Sequence, residues 1–365
     1  MRSLDGLRAL AVTMVVIHNY GPLPGLSRYP RVSSLRAGYI GVTIFFVLSG
    51  FLITLLLIEE FSQQSTIRLK AFYTRRAYRL FPALTVCLAL LIAISISLSY
   101  LRHDIIVATL SVVAYIFNFV AYHQPVSHPL GGGGWGHLWS LSVEEQFYFV
   151  WPVVLLVLLR RMGQRTIMWI LLAGAAGVTI WRTHLWLGEA SFFRLYLLTD
   201  SRVDALLIGA ALAIASRNYP ALNRMAARWS VVLLPGIVIL VLLADFGSSA
   251  ETDTPPGWLV GPGMIVVSVI SALLVIVSIN TVAGRMSRIL NSKLAIAVGR
   301  RSYGIYLYHF PVLAWVSQHR GGWLFAFFLT LVITELSYRL IEQPILRRAP
   351  KWSRRAAVQA PVAAG

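Results

Sequence analysis

Residues 38–58 read Gly38-Tyr39-Ile40-Gly41-Val42-Thr43-Ile44-Phe45-Phe46-Val47-Leu48-Ser49-Gly50-Phe51-Leu52-Ile53-Thr54-Leu55-Leu56-Leu57-Ile58, without one charged side chain. As a helix rising 1.5 Å per residue, such a stretch covers about 30 Å, the thickness of a bilayer's hydrocarbon core. Its small pair Ser49-Gly50 permits a neighbouring helix to approach closely, and would equally let an acyl chain or thioester come near the backbone. Working outward, further apolar segments lie at 6–23, 80–101, 104–123, 144–159, 166–187, 203–216, 230–244, 258–281, 302–318 and 322–341. Over 365 residues, 57% are hydrophobic and 13% charged, and mean hydropathy is +0.71. A soluble chain this apolar could not cover its core with polar surface. Soluble, disordered, fibrous and disulfide-stapled classes are excluded, leaving an all-α polytopic membrane protein.

Lys and Arg total 32 against 14 Asp and Glu, a formal charge of +18. The basic residues cluster between apolar runs, at Arg68–Arg79, Arg160–Arg165, Arg217–Arg228, Arg285–Arg301 and Arg347–Arg355. That is the positive-inside pattern, so these clusters are expected to be cytoplasmic and no nucleic-acid partner is implied. The acidic stretch 245–253, with Asp245, Glu251 and Asp253, is expected outside. Between the first two basic clusters the chain must cross an even number of times, yet three segments lie there. One must be short or re-entrant, and the region 104–142, with His123, His128, Gly131–Gly134 and His137, is the expected place. The reading is about ten transmembrane helices with both termini cytoplasmic, in a bacterial plasma (inner) membrane. Residues 1–346 form one transmembrane domain and 347–365 a basic tail. The N-terminal run has no signal-peptide cleavage site and is read as the first span. The one cysteine, Cys87, lies in an apolar run and carries no metal cluster or intrachain disulfide.

Ionisable groups at membrane depth are costly and are functional candidates by default. Here they are His18, Glu144, Glu145, Asp204, His309 and Glu335. His18 lies about 15 Å along the first helix from Arg8. A histidine in an apolar helix can hydrogen-bond a neighbouring helix or, with its near-neutral pKa, serve as a base. In the run from His137 to Tyr148, Ser140 or Ser142 can cap a helix, and the carboxylates can instead hold a catalytic His or Arg. Arg75, Arg76 and Arg79, ahead of Pro82, serve as positive-inside anchors or as forks for the phosphates of an anionic donor.

Seven stretches together resemble the acyltransferase family 3 of integral membrane O-acyltransferases. They are Ser3-Leu4-Asp5-Gly6-Leu7-Arg8-Ala9-Leu10-Ala11, Phe45–Ile53, Phe72–Pro82, His137–Tyr148, Arg202–Leu206, Ser302–Pro311 and Ser337–Pro344. They run in family order over nearly the whole chain. The resemblance implies an acyl-CoA donor, often acetyl-CoA, reached from the cytoplasm, a hydroxyl acceptor commonly on a sugar or similar envelope or secondary-metabolite molecule, and a catalytic Arg and His on the first helix. Those residues are Arg8 and His18, with Glu144 orienting one of them. Around the substrates it implies Asp5, Ser49, Gly50, Arg75, Arg76, Arg79, Trp139, Ser140, Tyr303 and His309. No metal and no tightly bound cofactor are called for. In the family ten residues separate the Arg and His; nine separate Arg8 from His18. Eleven helical positions return to within about 20° of the same face, ten to about 80° off it. The position at the usual spacing is Asn19, which cannot act as a base.

The mechanism expected is removal of the acceptor hydroxyl's proton by His18, attack on the thioester, and return of the proton to the thiolate. Arg8 orients the donor or stabilises the oxyanion. A covalent acyl-enzyme is equally compatible. Two other classes fit a membrane protein with buried His and Glu: a transporter or flippase of an acylated or anionic small molecule, expected to show repeat symmetry that is not visible here, and an acyl sensor without turnover.

Overall fold

The computed structural model describes residues 2–20, 38–124, 134–228, 257–280, 285–319, 322–350 and 352, and these are helical with no strand among them. The main helices are α1 (Arg2–Tyr20), α2 (Gly38–Gln64), α3 (Leu69–Ser97), α4 (Arg102–Val113), α5 (Phe117–His123), α6 (Trp139–Arg161), α7 (Gln164–Leu187), α8 (Phe192–Leu197), α9 (Asp204–Asn218), α10 (Pro220–Arg228), α11 (Met264–Asn280), α12 (Lys293–Gln318) and α13 (Trp323–Ser337). Among the described residues five helices are long and apolar enough to cross a membrane: α2, α3, Gly136–Arg161, α7 and Trp323–Arg347. Ten crossings were expected. Segment 230–244, the acidic stretch 245–253 and most of the tail 347–365 lie outside the described residues. In α1 and α12, Asp5, Arg8, Arg300, Arg301 and His309 interrupt the apolar run.

The apolar α2 is the centre of the bundle. Its Ile44, Phe46, Val47, Leu48 and Phe51 are buried, and α1, α9 and α11 pack along it. The crossing with α9 is tight: a Cβ on Gly50 would stand 2.0 Å from the Leu206 carbonyl oxygen, and one on Gly209 would stand 2.1 Å from that of Val47. Small residues let the two backbones meet where lipid provides no hydrophobic drive for association. Asp204 opens the short α9 with 0% exposure and accepts a 2.9 Å hydrogen bond from the fully buried Arg182 of α7. Arg182 also donates to the carbonyls of Ser201 (2.6 Å) and Gly261 (2.8 Å). One buried cation thus ties three segments together.

Two features depart from the apolar-segment boundaries. The basic run Arg68–Arg79 was expected as a loop, but α3 begins at Leu69, so three arginines ride on its first turns. Hydropathy marks only the lipid-facing part of such a helix. In the region 104–142, α4 and α5 have 12 and 7 residues, each too short to cross alone. Between them Tyr115 has φ 57°, a left-handed conformation that breaks the helix. The Gln146 amide donates to the Tyr115 carbonyl (2.7 Å) and to Asn118 Oδ1 (3.0 Å), so the break keeps its polar groups satisfied. The part of the expected re-entrant region at 125–133 lies outside the described residues.

Candidate active site

Among the described residues, two cavities gather the candidate site residues. The larger, about 1560 Å³, is lined by Asp5 and Arg8 of α1, Ser49 of α2, Arg75, Arg76 and Arg79 of α3, Ser140, Glu144, Glu145 and Tyr148 of α6, and Tyr303 and Tyr306 of α12. The smaller, about 230 Å³, is lined by His18, Asn19, Tyr39, Gln124, His137, Trp139, Phe192, Phe193, Tyr196, Tyr306 and Phe310, with Val42 and others. Val42 and Tyr306 line both, so the cavities meet there.

In the arginine-lined cavity the side chains hold one another. Arg8 donates to Asp5 Oδ1 at 3.2 Å, and Arg300 stands 3.7 Å from Asp5 Oδ2. Arg75 donates to Glu60 Oε2 at 3.3 Å. Arg76 donates to Glu145 Oε1 at 2.5 Å and lays its guanidinium 3.3 Å from the Tyr148 ring centroid. Ser49 and Tyr148 both donate to Glu144 Oε1. Arg79 lines the cavity with no ion pair among the described residues. Forks aimed into a cavity of this size suit a large anionic ligand. Glu144 stands among these groups rather than beside His18.

The helix rise puts His18 about 15 Å from Arg8, and the two residues line different cavities. The His18 ring lies 4.9 Å from that of Tyr39. It packs so closely on the start of α2 that a Cβ on Gly38 would stand 2.5 Å from its Cδ2. Beside it, Trp139 and Tyr196 (rings 4.6 Å apart) and Phe192 with Tyr196 (5.2 Å, stacked) form an aromatic wall. The loop after α8 braces that wall: Asp200 accepts from Arg194 (2.9 Å) and Trp181 (2.8 Å). Partial burial pushes the Asp200 carboxyl up, but these bonds outweigh it and hold the group below its ordinary value.

Two further imidazoles, His137 in the wall of the smaller pocket and His309 behind it, are fixed by backbone carbonyls. Pro311 has no N–H, so the Leu307 carbonyl four residues earlier is freed from the helix ladder. It accepts from His137 Nε2 (3.1 Å) and Cys87 Sγ (3.3 Å). A carbonyl can only accept, so this contact puts a proton on His137 Nε2. His309, with 0% exposure, is bonded through Nδ1 to the Tyr306 carbonyl at 2.6 Å, which places its proton there. The Tyr306 hydroxyl, at the junction, donates to the His137 carbonyl (2.9 Å) and stands 2.5 Å from Ser140 Oγ.

Of the residues singled out from sequence, Asp5, Arg8, Ser49, Arg75, Arg76, Arg79, Ser140, Glu144 and Tyr303 come together around the larger cavity, and His18 and Trp139 around the smaller. Gly50 lines neither and serves the α2–α9 crossing. His309 lines neither and sits behind Asn19. Glu145, a candidate as an ionisable group at membrane depth, also lines the larger cavity. Sequence reasoning passed over Tyr148, His137, Tyr306 and Tyr196 as site residues. The first three lie inside stretches already quoted, where a polar group that must be paired in an apolar helix was the available signal. Among the described residues no three of His, Cys, Asp and Glu converge as a metal site.

Comparison with known proteins agrees with this architecture. Peptidoglycan O-acetyltransferase OatA of Listeria monocytogenes is 32% identical over 94% of this chain and 55% of its own length. O-acetyltransferase OatA of Staphylococcus aureus is 31% identical over 95% of this chain and 57% of its own length. The chain thus spans little more than half the length of these relatives. No solved structure matches it. The family model described as an acyltransferase domain matches residues 1–339, and the chain belongs to that family, acyltransferase family 3.

Proposed function

We propose that the chain is a membrane O-acetyltransferase that takes its acetyl group from acetyl-CoA and delivers it to a hydroxyl of an envelope glycan. The observation that carries the reading is the pair of cavities meeting at Val42 and Tyr306, one lined by arginines and the other by an imidazole. At about 1560 Å³ the first exceeds the usual range of small-ligand pockets and suits a nucleotide-bearing donor. Arg75, Arg76 and Arg79 receive its phosphates, and Arg8, a long way down α1 from His18, orients its body. The thioester arm reaches past Ser140 and Tyr306 towards the second pocket. Glu145 and Glu60 keep Arg76 and Arg75 in place, and Glu144, held by Ser49 and Tyr148, sets its carboxylate beside the array. The names of the relatives support a cell-wall glycan as acceptor.

In the second pocket His18 takes the proton of the acceptor hydroxyl. The oxygen bonds to the thioester carbonyl carbon, the C–S bond breaks, and the imidazolium returns the proton to the thiolate. Basic clusters on the arginine side support a cytoplasmic setting for that side and for both termini. The test is His18→Ala in purified protein given acetyl-CoA. Turnover falls by roughly 10²–10⁴-fold, the range for a lost general base, while the protein still accumulates. Near-normal turnover eliminates His18 as the base.

A further inference from the structure

Asn19 stands where the family spacing from Arg8 would put an imidazole, and its surroundings give it a defined orientation. Its Nδ2 donates to the Val15 carbonyl at 2.9 Å. The same nitrogen is 3.2 Å from His309 Nε2. The proton of His309 is on Nδ1, held by the Tyr306 carbonyl, so Nε2 presents a lone pair and can only accept. Both partners are therefore acceptors. Both demand the amide nitrogen, and neither tolerates the carbonyl oxygen in its place. The amide cannot flip without setting oxygen against two acceptors. Its Nδ2 hydrogens are both used, and Oδ1 is the polar atom that remains, on a residue lining the smaller pocket next to His18.

We propose that Asn19 Oδ1 is the hydrogen-bond acceptor that orients the incoming hydroxyl in this pocket, and that His309 is a positioning residue that acts through Asn19. The inference rests on the reading of the smaller pocket as the acceptor site. A hydroxyl has one hydrogen, which is shared between Oδ1 and the adjacent imidazole on arrival and passes to the imidazole as the oxygen bonds to the thioester carbonyl carbon and the C–S bond breaks. The site thus recognises the O–H itself, whatever molecule bears it. His309 has 0% exposure and touches no substrate. Its neutral, single-tautomer state keeps the amide facing the right way. The one-residue offset between His18 and the usual family position is then no defect. The two neighbouring positions of α1 divide the work between a base and an orienting amide.

The experiment uses the detergent-solubilised full chain, acetyl-CoA as donor and glycerol as the hydroxyl probe, with acetyl glycerol and hydrolysed acetyl-CoA measured together. Asn19→Leu and Asn19→Asp, which remove the amide's orienting network in different ways, and His309→Phe, which removes the imidazole that accepts from the amide, each raise the KM for glycerol by about tenfold, the worth of one hydrogen bond. The KM for acetyl-CoA stays within about twofold, because the donor cavity is untouched. A structural role alone would move both constants or the folded yield. Should Asn19→Leu fail to fold, His309→Phe and Asn19→Asp give the same reading. An unchanged glycerol KM in any folded variant overturns the proposal, as does an equal rise in both constants. His18→Ala in the same assay keeps the two ideas apart. Loss of its turnover concerns the base, whereas the glycerol KM of the Asn19 and His309 variants concerns the orienting amide.

Discussion

At the residue scale, the site is a set of side chains whose freedom has been removed one contact at a time. His18 is placed by a glycine: its ring occupies the volume a Cβ on Gly38 would need, 2.5 Å from Cδ2. Gly38→Ala therefore pushes the imidazole off its position. Turnover is expected to drop about tenfold or more, as catalytic groups lose rate with displacements of about 1 Å, while the KM for acetyl-CoA holds. A steady-state titration of acetyl-CoA checks this, and unchanged turnover would show that the ring has room to spare. The identity of these residues was partly legible. Arg8, His18, Glu144 and the Arg75–Arg79 run stand out because charge inside an apolar chain is rare. Their grouping was not legible. Glu144 was paired with His18 or Arg8 in the sequence reading, yet its partners are Ser49, which reaches it from α2, and Tyr148, one turn further along its own helix. Asn19 was set aside as unable to act as a base; only the acceptors on both sides of its amide show what it offers instead.

At the scale of the elements, breaks in regular structure supply the hydrogen bonds that the pocket uses. Pro311 releases the Leu307 carbonyl, and His137 and Cys87 take it. Pro311→Ala restores an N–H that competes for that oxygen. Removing a proline from a helix interior relieves up to about 3 kcal/mol of helix cost, so thermal stability is expected to hold or rise. Turnover is expected to fall as His137 loses its anchor. A melting curve and an acetyl-CoA assay on the same preparation decide it, and a variant as active as wild type would show that this anchor is dispensable. Helix existence was readable from the apolar runs, but helix starts were not. The α3 arginines and the Lys293–Arg301 part of α12 are helical yet polar. The α3 arginines face the larger cavity instead of lipid, Lys293 and Arg300 are exposed, and a hydropathy window scores both stretches as loop. That some helix can approach α2 closely was readable from Ser49-Gly50, but that α9 is the partner, and that Gly50 serves this crossing, was not.

At the scale of the whole molecule, the two cavities share Val42 and Tyr306 in their walls, and their chemistries differ. Arginines gather at one end of α1 and α3, while imidazoles, an amide and aromatic rings gather at the other end of α1 and the start of α6. Composition made the membrane class plain, and the basic clusters suggested which side carries the donor. Sequence could not show that Arg8 and His18 open onto separate spaces, because that depends on which helices stand between them. The account's central claim is that donor and acceptor enter from opposite ends. It is tested in liposomes holding the full chain in a mapped orientation, with acetyl-CoA and membrane-impermeant tri-N-acetylchitotriose supplied to chosen faces. Acetylated sugar is predicted when acetyl-CoA is on the face nearer Arg76 and Arg79 and the sugar on the face nearer His18, and not with the faces exchanged. Equal product from both arrangements, or product only when both substrates share one face, would contradict it.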